Sequence, residues 1–337
     1  MGVIVLKSLV QKVILDILGG DNSPNVPLAA AADALKRDPE LQLVCVGDET
    51  VIKHHLSKYM SRVEIIHTTT NIGFNEHPTE AIRTKKDSSI VLGLNALRDR
   101  ADCGGFVSAG STGAILTGGF MIIGRINGVS RPALSTFLPA MNGRKVLVLD
   151  LGANMDCKPQ NIVHFAVMAD QYLRSLGVEN PRIGLLNVGA EEEKGNELTL
   201  AAFAQLKKAP INFIGNVEAV NAFDGHVDAV VADGFAGNVL LKTVEGSGAL
   251  FSHELKRAIG RPHLILGKLI VGPRLLKMKR DLSADGTGGA IFLGLKKTVI
   301  KIHGSTSAIA MRNAIFQARD AGVAHLTDNI AVAVAKA

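Results

Sequence analysis

Residues Ile183–Thr199, IGLLNVGAEEEKGNELT, decide how the chain is to be read. Ile183–Val188 is a short apolar run of buried-strand type, ended by Gly189. Glu197–Lys207 then carries apolar residues at helical spacing, with Gly195-Asn196 as the helix start. Between strand and helix lies a loop of Glu191, Glu192, Glu193 and Lys194. In an open α/β sheet ligands bind just beyond the carboxyl ends of strands, which is where this loop falls. The same residues also suit a solvated charged turn, so a functional reading depends on the rest of the chain.

The pattern repeats in both directions. Apolar strand-type runs fall at Val13–Ile17, Leu41–Val46, Val63–His67, Gly105–Val107, Ala133–Leu138, Lys145–Leu151, Ile211–Ile214, Ala229–Val231 and Thr298–His303. Helical spacing appears near 28–36, 48–56, 79–85, 89–97, 114–123 and 162–176, from Phe235 onward, and over 306–318. Asp285–Ala290 reads as a small-residue turn before a further apolar helix. Strands alternating with helices predict an α/β fold of three layers, α/β/α, with a mostly parallel sheet. One two-lobed catalytic domain over 12–330 is expected, with a basic amphipathic helical arm at 249–284 and an N-terminal extension at 1–11.

A chain of 337 residues, 47% hydrophobic, can bury a large core. No Trp and two Tyr argue against a stacking platform for single-stranded nucleic acid. Cys45, Cys103 and Cys157 form neither a disulfide framework nor a metal motif, which fits a reducing cytoplasm. Lys7 and Lys12 interrupt the apolar N-terminus, and no small-residue cleavage site follows, so a signal peptide is not expected. No apolar run approaches the roughly 20 residues that span a bilayer, so the bulk of the protein is expected to be soluble.

Five loops fall at predicted carboxyl ends of strands. Gly19–Pro24 offers backbone N–H groups to an anion at Gly20 and Asp21, with Asn22 able to donate; a plain Gly-Asp turn reads equally well. Ser111, Thr112 and Gly113 open a helix whose N-terminus suits phosphate, although close packing through small residues explains them too. Asp150–Pro159 closes a strand with a polar cluster in which Asp150 and Asn154 can orient partners. The Lys194 loop is the fourth. Ala232–Asn238 is the fifth, with Asp233, Gly237 and Asn238 at a helix start. Cys157 has no His–Asn/Asp context for covalent catalysis. With no metal-ligand cluster and no dinucleotide fingerprint, five such loops describe a phosphate-handling site that works by positioning.

The net charge of +6 is concentrated. Phe251–Arg280 alone carries +7, leaving −1 on the remainder. In 251–282 basic Arg257, Arg261, Lys268, Arg274 and Lys277 interleave with apolar Leu264, Leu266 and Ile270. Such a segment reads as an anchor on an anionic membrane or a dock for an acidic protein, and also as a dimer interface with solvated outer charges.

Taken together, Asp16 with GGDNSP, SAGSTGA, DLGANMDCKP, EEEKGNE, ADGFAGN and HGSTSA resemble, in order and over nearly the whole chain, the PlsX-type phosphate acyltransferases of bacterial phospholipid synthesis. Ile17-Leu18 stands where that family usually has Ala-Met, and the first eleven residues extend beyond its usual start. The resemblance implies the fold of isocitrate and isopropylmalate dehydrogenases and of phosphotransacetylases, in a homodimer. It implies transfer of a long-chain acyl group from acyl carrier protein to inorganic phosphate, without metal or cofactor. A membrane glycerol-3-phosphate acyltransferase would use the acyl phosphate, which places the protein at the inner face of the cytoplasmic membrane. Lys194 would supply charge to phosphate or oxyanion, Asn238 a hydrogen bond, and Asp233 and Glu193 the orientation of Lys194. Gly20, Asp21, Asn22, Ser111, Thr112, Gly113, Asn154, Asn196 and Gly237 would contact substrate. A phosphotransacetylase-like enzyme using acyl-coenzyme A, and a non-catalytic membrane-docking scaffold, are the competing readings.

Overall fold

The computed structural model describes residues 12–259, 272, 274–275 and 288–337. The expected N-terminal extension and most of the basic arm, including Arg261, Leu264, Leu266, Lys268, Ile270 and Lys277, lie outside the described residues. The chain divides into two compact units.

The first unit comprises the described residues of Met1–Pro132, Arg174–Gly177 and Thr287–Lys336. Its strands are β1 (Lys12–Asp16), β2 (Leu43–Gly47), β3 (Val63–His67), β4 (Cys103–Ser108), β10 (Ala290–Leu293) and β11 (Thr298–Lys301). They lie in the order β3-β2-β1-β4-β11-β10, parallel except for β10 against β11. The central strands are buried on both faces, which is why the sequence shows continuous apolar runs there rather than alternation. Neighbouring residues of β4 show what covers each face. A Cβ added to Gly93, in α4 (Ser89–Asp99), would strike the Phe106 ring at 2.4 Å, and one added to Gly105 would lie 3.0 Å from Ala318 of α9 (Ala308–Val323). Successive strand residues point to opposite faces, so α4 and α9 sandwich the sheet. The expected helix after Asp285–Ala290 is corrected: Ala290–Leu293 is the strand β10, hydrogen-bonded to β11. Four apolar residues suit either state, and here antiparallel pairing with β11 fixes them as a strand.

The second unit comprises Ala133–Leu173 and, among described residues, 178–259, 272 and 274–275. Its strands β5 (Ala133–Pro139), β6 (Lys145–Leu149), β7 (Arg182–Asn187), β8 (Asn212–Glu218) and β9 (Ala229–Val231) lie in the order β5-β6-β9-β7-β8. The hairpin partner β5 is antiparallel to β6 and the rest run parallel. Phe137, opposite Leu147, packs on Tyr172 of α6 (Pro159–Ser175). On the other face Val146, Val148 and Val230 form a buried cluster with Leu240 of α8 (Gly234–Ile259). Both units are therefore three-layered. Among the described residues no helix is long and apolar enough to cross a membrane.

Candidate active site

In the second unit the loop after β6 is organised by a buried carboxylate. Asp150 is fully buried and accepts four hydrogen bonds: from Leu134 N at 2.8 Å, Ala153 N at 3.2 Å, Asn154 N at 2.7 Å and Asn154 Nδ2 at 2.9 Å. Burial pushes its carboxyl up, and these donors pull it back. The start of α8 is pressed onto this loop. Gly234 N donates to Asn154 O at 2.8 Å, and a Cβ on Gly237 would lie 2.0 Å from Asp150 O, a contact only glycine permits. Asp233 Oδ1 accepts from Ala236 N at 2.7 Å and so caps the helix. Asn238 lies one turn in, with its side chain 3.6 Å from where a Cβ on Gly152 would stand. Asn154, Asp233, Gly237 and Asn238, singled out from separate motifs, are thus brought together.

The Lys194 loop, between β7 and α7 (Glu197–Leu206), is clamped through its backbone. Asn187 Nδ2 donates to Lys194 O at 3.0 Å, and Asn216 Nδ2 donates to Glu191 O at 2.7 Å. Asn196 closes a capping box with Thr199: Asn196 Oδ1 accepts from Thr199 N at 2.9 Å and Asn196 N donates to Thr199 Oγ1 at 3.0 Å. Gly195 sits at φ +112°, and a Cβ there would collide with Thr199 Oγ1 at 2.0 Å. The Lys194 side chain, by contrast, is exposed. Among the described residues it makes no ion pair, and no hydrogen bond joins it to Glu193, Asp233 or Asn238. Glu192 pairs with Lys207 at 3.0 Å. The clamped loop therefore carries an exposed cation free of any counter-ion from the described residues.

The first unit has its own loop cluster. Asp16, fully buried at the end of β1, accepts from Leu18 N at 3.0 Å and from Ser108 Oγ at 2.6 Å, and Ser108 Oγ in turn accepts from Gly110 N at 3.0 Å. Burial pushes the Asp16 carboxyl up. Gly20 lies beside Ala109, while Asp21 and Asn22 are exposed. Ser111 caps α5 (Thr112–Gly118) through Ala114 N, with exposed Thr112 and half-buried Gly113 in the first turn. One residue that motif reading passed over is Lys301, buried at the end of β11, where burial pulls its ammonium down to about 8. Its only sequence signal is a lone lysine between β-branched residues just before His303-Gly304. Of the basic docking residues, Arg257 and Arg274 are described and exposed, Arg257 pairing with Glu254 at 2.6 Å. Among the described residues no cluster of His, Cys, Asp and Glu has the arrangement of a metal site.

Comparison with known proteins matches the chain to one family. The family profile described as "Fatty acid synthesis protein" matches residues 11–328. The chain is similar to the phosphate acyltransferase of Halalkalibacterium halodurans, 43% identical over 331 residues and 97% of each chain. It is also similar to that of Brevibacillus brevis, 43% identical over 311 residues, covering 91% of this chain and 92% of the relative. The fold is similar to that of the EutD phosphotransacetylase from Staphylococcus aureus, with a TM-score of 0.60 at 16% identity over 93% and 95% of the two chains. The α/β/α layers expected from sequence are thus shared with a phosphotransacetylase. With a family match over nearly its whole length, the chain belongs to the phosphate acyltransferase family, and it is an acyltransferase.

Proposed function

We propose that the protein transfers a long-chain fatty acyl group from acyl carrier protein to inorganic phosphate, releasing acyl phosphate and free carrier protein. The observation that carries this reading is the clamped Lys194 loop at the carboxyl end of a parallel strand, whose exposed cation makes no ion pair among the described residues. A phosphate oxygen attacks the thioester carbonyl. As the C–O bond forms, the carbonyl oxygen gains negative charge, which Lys194 offsets. The C–S bond then breaks and its electron pair leaves on sulfur, which takes up a proton. Asn238 Nδ2 donates to the carbonyl or to phosphate, and Asp233 acts as a positioning residue by capping the helix that carries Asn238. Catalysis of this kind rests on proximity and on charge stabilisation.

A carrier protein as donor is supported by charge: such proteins are acidic, and Phe251–Arg280 carries +7 in the sequence. The same run of charge in the sequence supports binding of the enzyme, as a homodimer, to the anionic inner face of the cytoplasmic membrane, where a glycerol-3-phosphate acyltransferase would take up the acyl phosphate. Turnover of Lys194→Ala and Lys194→Arg with palmitoyl carrier protein tests the central role. Loss of about a hundredfold or more in kcat for Lys194→Ala, with partial recovery in Lys194→Arg, is expected. Near-normal kcat in Lys194→Ala removes Lys194 from the chemistry.

A further inference from the structure

The first unit holds a buried cation that its loop motifs do not announce. Lys301 closes β11 and is only 8% exposed. Its register partner on β4 is Ser108, and Val107 one residue earlier pairs with Leu15 of β1. Asp16, Ser108 and Lys301 therefore form one row across three adjacent parallel strands. Residues at one level share a face of the sheet, and the Ser108 hydroxyl already donates to Asp16 Oδ2 at 2.6 Å.

Lys301 Nζ donates to Ile302 O, and among the described residues it makes no ion pair. An ammonium group has three donors, so this leaves two to place. A charge so buried is costly unless something of opposite sign meets it, and the charge acting on Lys301 from within the first unit is that of the exposed Asp21. The loop Gly19–Asn22 packs against the same strand end: Asp21 N donates to Gly304 O at 2.9 Å, and a Cβ on Gly20 would lie 3.1 Å from that oxygen. Gly20 is at φ +101°, and a Cβ there would also lie 3.0 Å from Ala109. Beside the row a cleft of about 50 Å³ is lined by Asp16, Gly19, Gly20, Ser89 and Gly110 among others, with room for a small ion and none for an acyl chain. Burial pushes the Asp16 carboxyl up, which favours its neutral form and lessens its repulsion of an anion there.

We propose that Lys301 is the cation that holds the tetrahedral phosphoryl group of inorganic phosphate at the Gly19–Asn22 and Ser108–Gly110 loops. This rests on phosphate being the acceptor, as proposed above. The same chemistry could come from the phosphate of the carrier's pantetheine arm; the small cleft favours the free ion, and the test separates the two.

The full chain, Lys301→Met and Lys301→Gln are compared in two assays: the melting-temperature shift given by inorganic phosphate alone, and steady-state kinetics with palmitoyl carrier protein. Phosphate is expected to raise the wild-type melting temperature and to leave both variants unmoved. The KM for phosphate should rise roughly tenfold or more, as loss of one charge-assisted bond requires, while the KM for the carrier stays within about twofold. Wild type without a shift, variants that keep it, or a rise confined to the carrier's KM overturns the assignment. A wild-type shift that Lys301→Met loses, in an enzyme that makes no acyl phosphate, keeps the site and removes the reaction instead.

Discussion

Lys301 and Asp150 are both buried ionisable residues, and their substitution is expected to have opposite effects on stability. Lys301 lies at about 8 in the folded chain against an ordinary lysine value of 10.5. Between those values the unfolded chain binds more protons than the folded one, so stability rises with pH across that window. Below about 8 the buried charge opposes folding. Lys301→Met is therefore expected to be more stable than wild type near pH 7 by about 1–3 kcal/mol, the difference shrinking toward pH 10.5, as denaturant titrations at several pH values would show. Asp21 is the charge acting on Lys301, with Asp16 on the same row and His303 two residues along the chain, so the profile should be read with Asp21→Asn alongside. A gain in stability with a loss in phosphate affinity marks a residue kept for its ligand. Asp150 behaves oppositely. All four of its partners are N–H donors, so Asp150→Asn turns a donor toward a donor and should cost about 2–4 kcal/mol. Its burial is as invisible in the letters DLGANMD as that of Lys301 is in TVIKIHG.

At the scale of elements, the tightest junction is the start of α8 on the loop after β6. Gly237→Ala would drive a Cβ into Asp150 O at 2.0 Å, and backbone on both sides leaves no flexible group to give way. The helix start must retreat, carrying Asn238 with it. A fall in kcat of about a hundredfold is expected, with circular dichroism unchanged. Asn196→Ala, by contrast, removes only a capping box and should cost about 1 kcal/mol. The parallel strands β1, β2, β4 and β9 were legible because burial on both faces makes each a continuous apolar run. The capped start of α7 was legible from Gly195-Asn196. Less was legible where elements are short: β10 has four residues and is fixed as a strand by β11, a partner no local pattern reveals. Motif reading found the loops at the strand ends. It did not find that Asp233 is bonded to its own helix, with no hydrogen bond to Lys194 among the described residues.

At the scale of the molecule, charge is distributed unevenly along the chain. The +7 of Phe251–Arg280 sits in a chain that is otherwise −1. If it meets an acidic carrier, raising salt from about 50 to 300 mM should increase the KM for acyl carrier protein severalfold while leaving the KM for phosphate nearly constant, because exposed charge pairs are screened and buried ones much less so. One product tests the proposed reaction most directly. Purified protein is incubated with palmitoyl carrier protein and inorganic phosphate, and hydroxylamine traps any acyl phosphate as the hydroxamate. Phosphate-dependent hydroxamate from the carrier substrate is predicted, at a rate above that with palmitoyl-coenzyme A. No hydroxamate from a folded enzyme, or product from the coenzyme A thioester alone, would contradict it.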